Sequence, residues 1–242
     1  YNNLGDYRRA IEFHEQRLAI ARELSDRSGE GRALGNLGLA YQSLGDYRRA
    51  IEFHEQHLAI ARELSDRGGE GAALGNLGLA YDRLGDYHRA IEFHEQRLAI
   101  ARELGDRGGE GRALGNLGNA YYSLGDYRRA IEFYEQHLEI AREIGGRDGE
   151  GRALGNLGLA YRNLEQYDLA TDFYSQALSI FSALGSRDEA GILLSNLGKL
   201  LNDQDQSELA IVFLKASVDM RESIRGDLQG LDTGLQQSFT VR

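Results

Sequence analysis

From residue 34 onward, Leu34, Leu37, Ala40, Tyr41 and Leu44 recur at helical spacing. The stripe stops at Gly45, a residue suited to the left-handed position after a helix C-terminus. A second stripe opens after Asp46, an N-cap candidate, and runs through Tyr47, Ala50, Ile51, His54, Leu58 and Ala61 to Leu64. Phe53, Ile60 and Leu64 give this second helix a further apolar face, more than one partner could cover. It is therefore expected to pack on its own first helix and also on the next one. The run Ser65-Asp66-Arg67-Gly68-Gly69-Glu70-Gly71, with equivalents at 25–31, 105–111 and 145–151, reads as a turn between such pairs.

The pattern repeats with a period of forty residues. Asn36, Asn76, Asn116 and Asn156 each sit in Leu-Gly-Asn-Leu-Gly, and Asn196 sits in Leu-Ser-Asn-Leu-Gly. A fixed period of this size marks a chain whose units are too small to bury their own apolar faces and become stable by stacking. The expected fold is all-α, with near-uniform helix pairs from residue 6 to about 225 and no strand. The expected division is a partial unit at 1–28, full units at 29–68, 69–108, 109–148 and 149–188, a divergent terminal unit at 189–225, and a tail at 226–242. Tyr1 matches Tyr41, so the chain is expected to begin near the end of a helix, as a fragment or a processed piece would.

Units 29–68 and 69–108 differ only at Arg32/Ala72, Gln42/Asp82, Ser43/Arg83, Arg48/His88, His57/Arg97 and Ser65/Gly105. The terminal unit drifts, with Ile192, Lys199, Leu201, Val212 and Met220 replacing the consensus, as suits an end unit that faces something other than a further copy.

Leu34, Leu37-Gly38, Tyr41 and Ala50 fall on the pattern of the tetratricopeptide repeats. The chain departs from that pattern in having Leu34 at the large aromatic position, His54 at the phenylalanine position, no proline, and a forty-residue unit whose extra length is placed at the end of the second helix. In these respects it resembles the longer Leu-Gly-Asn, or Pins-like, class of polarity adaptors and bacterial signalling proteins. The resemblance covers residues 1 to about 225. It implies a right-handed superhelical solenoid of antiparallel helix pairs with a concave groove for a protein segment. After Arg225 the tail resembles the connector that joins such repeats to a caspase-like CHAT domain in cyanobacterial-type proteins. That protease uses a His and a Cys, and this chain has no cysteine, so none of its catalytic machinery is carried here.

On that resemblance the groove face carries Arg32, Ala72, Arg112, Arg152 and Ile192 at one level, and Leu39, Leu79, Asn119, Leu159 and Lys199 at the next. Arginines beside an asparagine ladder could hold a carboxylate and the backbone amides of an extended ligand. The candidate binding residues are Arg32, Asn36, Asn76, Arg112, Asn116, Asn119, Tyr122, Arg152, Asn156 and Arg162, centred on repeats 109–188. Asn36 and its equivalents lie nearer the seam between helices, where they could instead tie neighbours together. Gly38 reads as a residue of close helix approach. Gly35 either smooths the groove wall or relieves crowding between helices.

Composition narrows the partners. Twenty-eight Lys and Arg against thirty-eight Asp and Glu give a net charge of -10, which repels phosphate backbones, so nucleic acid is not an expected partner. There is no apolar run near twenty residues, so no membrane span is expected, and the absence of cysteine removes disulfides and Cys-based zinc. The compartment is expected to be cytoplasmic. His54-Glu55-Gln56-His57 spaces its histidines three apart, whereas the zinc-protease word needs four and a third ligand. The glycine turns lack the Gly-Lys-Ser/Thr of a phosphate loop. Neither metal, cofactor nor catalysis is expected. Arg48 and Arg49 are expected to pair with Glu52 and Glu55 on a solvated convex face. Three functions follow: a module binding an extended, acidic protein segment; a regulatory arm contacting its own downstream domain; and a spacer that self-associates through its open ends.

Overall fold

The computed structural model describes residues 7–220, 222 and 223. Among these, ten helices of nearly equal length follow one another: α1 (Tyr7–Glu23), α2 (Arg27–Ser43), α3 (Tyr47–Glu63), α4 (Arg67–Leu84), α5 (Tyr87–Glu103), α6 (Arg107–Ser123), α7 (Tyr127–Glu143), α8 (Arg147–Asn163), α9 (Tyr167–Leu184) and α10 (Arg187–Asp203). Residues 207–220 are also helical, and no strand occurs among the described residues. The chain divides into two compact units, Tyr1–Gln136 and His137–Arg242.

In the first unit each helix from α1 to α6 packs on its sequence neighbour, so the inner helices have a partner on each side, as their wide apolar faces require. The even-numbered helices also touch one another, α2 with α4 and α4 with α6. They therefore form one continuous inner face. In the second unit α8 packs on α9, α9 on α10, and α8 touches α10, which repeats the arrangement.

The core is a column of small and medium apolar residues. Ala33, Leu34, Leu37 and Ala40 of α2 and Ala73, Leu74, Leu77 and Ala80 of α4 are almost wholly buried. Between the helices of a pair, Gly38 is the point of closest approach: a Cβ there would lie 2.4 Å from Cε1 of His54, and at Gly118 one would lie 2.4 Å from Cε1 of Tyr134. Gly35, a turn nearer the N-terminus of α2, serves the same purpose. It is buried, and a Cβ would lie 2.9 Å from Nδ1 of His57, so it relieves crowding between helices and does not smooth a groove wall.

The turn between pairs is shorter than the sequence suggests. α3 ends at Glu63 and α4 begins at Arg67, so Gly68, Gly69 and Gly71 lie inside the helix and not in a loop. The Asp66 carboxylate accepts from the Gly69 backbone N–H at 2.8 Å, and it would have to shift to admit a Cβ at Gly69, which would lie 2.5 Å from Oδ2. A Cβ at Gly71 would crowd Ile100 of α5 at 3.2 Å. Glycines that otherwise read as breakers thus sit within a capped and closely packed first turn of the helix. Some of the added length of the unit accordingly lies at the start of the first helix. Asp26, Asp46, Asp86 and Asp106 cap their helices in the same way, each worth about 1 kcal/mol.

Four junctions between pairs, those entering α2, α4, α6 and α8, are each tied by a buried carboxylate. Glu70 accepts from Nε of Arg62 at 2.8 Å and pairs with Arg67, whose guanidinium also bonds Glu103. Glu30 is held by Arg22 and Arg27, Glu110 by Arg102 and Arg107, and Glu150 by Arg142 and Arg147. One of the outer arginines, Arg49, differs from expectation. Arg49 pairs with Asp46 at 3.2 Å and lies over the Tyr41 ring, because a shorter reach back to the cap and the ring face competes successfully with Glu52 and Glu55.

These junctions make the fold sensitive to acid. The hydrogen bond from Arg22 holds Glu30 below its usual 4.5; for Glu70 and Glu110, burial acts to raise the value and the paired arginines outweigh it. With folded values below the unfolded one, this stabilisation is complete above about pH 4.5 and is lost as the pH falls through the folded values. Glu70→Gln should lower stability at neutral pH by about 1–3 kcal/mol and flatten the acid side of the melting-temperature profile. In the connector itself, Ser65 adopts φ +55 where Gly105 stands in the sister junction with φ +66. Ser65→Gly should raise stability by about 1 kcal/mol, measured by denaturant unfolding.

Candidate functional site

The inner face of the first unit is built by α2, α4 and α6. Arg32, Ala72 and Arg112 are exposed on it, as are Leu39 and Asn119, while Leu79, Asn36, Asn76 and Asn116 are half-buried. Asn119 has a fixed orientation: its Oδ1 accepts from the Tyr134 hydroxyl at 2.9 Å. That bond depends on two departures from the repeat, Asn119 for leucine and Tyr134 for histidine, which meet across the α6–α7 seam. Tyr122 is half-buried with its ring 5.3 Å from that of Tyr127.

One cleft concentrates positive charge. It measures about 230 Å³ and lies between α4, α5 and α6, lined by Gly71, Ala72, Arg97, Ile100, Asp106 and Arg112 among others. Ala72 stands where Arg32, Arg112 and Arg152 stand in other repeats, and its short side chain opens the cleft. Arg97 stands where His57 and His137 stand, and its longer side chain reaches the Gly71 carbonyl, donating at 2.8 Å. Burial, and then the neighbouring charge of Arg112, pulls Arg97 below the usual guanidinium value. Arg112 is 65% exposed and has Asp106 at 3.8 Å. Arg67 also lines the cleft but is paired with Glu70 and Glu103, so Arg97 and Arg112, from successive helices, face it with Asp106 as the one lining carboxylate, a setting that favours an incoming anion. Arg97 is absent from the candidates drawn from the sequence. The available signal was that Ala72 and Arg97, two of the six differences between neighbouring repeats, fall in the same unit.

The second-unit candidates have matched charges. Nε of Arg152 donates to Asp148 at 2.8 Å and Nη2 to Glu189 at 3.1 Å, while Arg162 bonds Asp203 at 2.6 Å. Both arginines reach from α8 to a carboxylate on α10, so they tie the even-numbered helices together. Asn156 is half-buried on α8.

The histidines lie in the seams. His54 is completely buried against Gly38, and neither ring nitrogen has a hydrogen-bond partner. His94 occupies the same place in the next pair and meets Asp82 through Nε2 at 3.2 Å. No group of three or more metal-ligating side chains is gathered among the described residues. No helix of the described residues is long and apolar enough to cross a membrane. Residues 226–242, with their likeness to a CHAT connector, lie outside the described residues.

The tetratricopeptide repeat model matches residues 1–63, 31–103, 69–143 and 149–223, and the chain belongs to that family. Proteins built from these repeats are typically non-catalytic scaffolds, and the repeats of this chain support a protein-interaction scaffold in that general sense. No curated protein matches its sequence. Among solved structures it is similar to BtubC (BKLC) from P. vanneervenii, at 23% identity over 91% of this chain and 92% of that one, with a TM-score of 0.79. It is also similar to a putative kinesin light chain from Podosopora anserina with nearly identical TPR-like repeats, at 25% identity over 76% and 91%, TM-score 0.65. A third likeness is to a signal-transduction ATPase with numerous domains and a tetratricopeptide repeat sensor from Pyrococcus horikoshii, at 20% identity over 90% and 34%, TM-score 0.78.

The buried histidine gives this seam an acid sensitivity separate from that of the carboxylates. Burial, followed by the nearby His57, lowers His54 to about 4 from an ordinary 6.5. The unfolded chain therefore takes up the proton first, and stability is complete above pH 6.5 and lost as pH falls toward 4. His54→Tyr, copying Tyr134, should remove some of the stability loss between those pH values when unfolding is followed by denaturant titration.

Proposed function

We propose that the inner face of the first unit binds an extended segment of a protein partner and anchors an acidic side chain of that segment in the cleft between Arg97 and Arg112. The observation that carries this reading is the pair of guanidinium groups brought together where Ala72 leaves space. A carboxylate entering there offsets the repulsion between like charges and accepts charge-assisted hydrogen bonds from both. Asn119, held by Tyr134, is placed further along α6 to bond the backbone of the segment, and Asn76 and Asn116 stand half-buried on the same helices. Arg152 and Arg162 are bonded closely to carboxylates within the chain, at 3.1 and 2.6 Å, whereas Asp106 stands 3.8 Å from Arg112, which favours Arg112 as the anchoring residue. Arg32 is exposed at the equivalent place on α2 and would meet an acidic residue further along the segment.

The function proposed is that of a non-catalytic adaptor. The partner chemistry is an acidic, extended peptide. A partner within the same polypeptide or a separate protein would present that chemistry in the same way, and addition of a downstream domain as a competitor separates the two.

Selection of random peptides on the chain, followed by calorimetric titration of those enriched, tests the reading. Enriched sequences should carry Asp or Glu, and affinity should fall as salt rises. Arg112→Ala should weaken binding about fivefold, equivalent to about 1 kcal/mol. Arg97→His, which restores the residue of the sister repeats, should weaken it comparably without loss of helical content. Enrichment of neutral or basic peptides, or affinity untouched by both substitutions, would show the cleft assignment to be wrong.

A further inference from the structure

The last helix pair, α10 with residues 207–220, departs from its sisters along an aromatic seam. In four earlier pairs a tyrosine of the first helix stacks on a phenylalanine of the second: Tyr41 on Phe53, Tyr81 on Phe93, Tyr121 on Phe133 and Tyr161 on Phe173. Their ring centroids are 5.3–5.4 Å apart and their planes lie within 9°. In the last pair Phe213 keeps the phenylalanine position, but Leu201 stands where the tyrosine would be. The facing wall on α9 has shrunk as well. Thr171 replaces Ile51, Ile91 and Ile131, Ser175 replaces Glu55, Glu95 and Glu135, and Ser182 replaces Arg62, Arg102 and Arg142.

Volume and charge have been removed from the same place, and a cleft of about 390 Å³ results. Thr171, Ser175, Leu178, Ser182, Leu201 and Phe213 line it, all within the second unit. Its size is that of a small ligand pocket, which starts at about 300 Å³. None of its lining residues is charged. In the sister repeats the equivalent arginine is occupied with the junction glutamate, as Arg62 is with Glu70. At this junction both are gone, with Ser182 and Ala190 in their places.

We propose that this cleft binds an aromatic side chain of a protein partner, inserted where the sister pairs hold their own tyrosine. Phe213 offers the ring that a phenylalanine elsewhere in the array uses for stacking. Offset stacking favours another ring over an aliphatic group of equal area. Leu178, Leu200 and Leu201 supply apolar cover. Ser175, Ser179 and Ser182 place hydroxyls along the other wall, where a tyrosine hydroxyl or an indole N–H can be satisfied. A charged side chain would lose its hydration there without meeting an opposite charge. The site is separate from the Arg97–Arg112 cleft and uses a different chemistry, so either can fail without the other.

Nuclear magnetic resonance titration of the full chain with N-acetyl-tyrosinamide, N-acetyl-phenylalaninamide and N-acetyl-leucinamide tests the proposal. The two aromatic amides should give saturable shifts at Phe213 and Thr171, with the leucine amide about tenfold weaker or more. Leu201→Tyr restores the residue of the sister pairs and should fill the cleft from within. Binding should then be lost while the melting temperature is kept or raised. Thr171→Ile closes the cleft from the opposite wall and serves the same purpose if the first variant does not fold. Absence of saturable shifts with either aromatic amide would overturn the proposal, as would equal binding of the leucine amide, or shifts that persist in a folded variant with the cleft filled.

Discussion

The close approach of two helices over a glycine is the contact on which the array depends. At Gly38, Gly78, Gly118 and Gly158 the ring of His54, His94, Tyr134 or Tyr174 lies so near that a Cβ would overlap it, at 2.3–2.7 Å. A glycine inside a helix costs about 1 kcal/mol relative to alanine. Here that cost is offset by the burial of an entire ring in the seam. The absence of a side chain on one helix and the presence of a flat one on the other let the pair interlock. The leucines on either side, Leu34 and Leu37 in the first full pair, can then reach the core.

The junctions between pairs follow a different physical rule. An aspartate caps the incoming helix, and a glutamate one turn inside it is held by two arginines, one from each side of the connector. A buried carboxylate is expensive to desolvate and becomes favourable only when its partners are in place. Such a junction is stable in one geometry and poor in others, so it fixes the angle at which one helix pair meets the next. Where the device is lost, at Ser182 and Ala190, the neighbouring cleft opens. Regularity and its interruption therefore have complementary effects: repeated spacing builds the scaffold, and local departures create the places where something else can bind.

Within the first unit the departures are few and small. Alanine at position 72 and arginine at position 97, where sister repeats carry arginine and histidine, leave the helix pattern unchanged, and both residues line the cationic cleft.

Much of this was legible in the chain itself. A forty-residue period, helical stripes and the aspartate and glycine at the helix ends determine the all-α class and the ends of most helices, because capping and amphipathic burial are local rules that each repeat obeys alone. The glycine-rich run at 65–71 misled in the same local terms: glycine reads as a breaker, while Gly69 and Gly71 lie inside α4, Gly69 capped by Asp66 and Gly71 packed near Ile100. Arg49 likewise exchanged its expected helical partners for Asp46 and the Tyr41 ring. Only the tertiary structure decided which inner-face cations are already matched, since the partners of Arg152 and Arg162, Glu189 and Asp203, lie about forty residues away in sequence and come within reach by stacking. It also brought Arg97 and Arg112 into one cleft, and Thr171 opposite Phe213 in another, because a cavity is a property of three helices at once, and no single repeat contains the spacing that produces it.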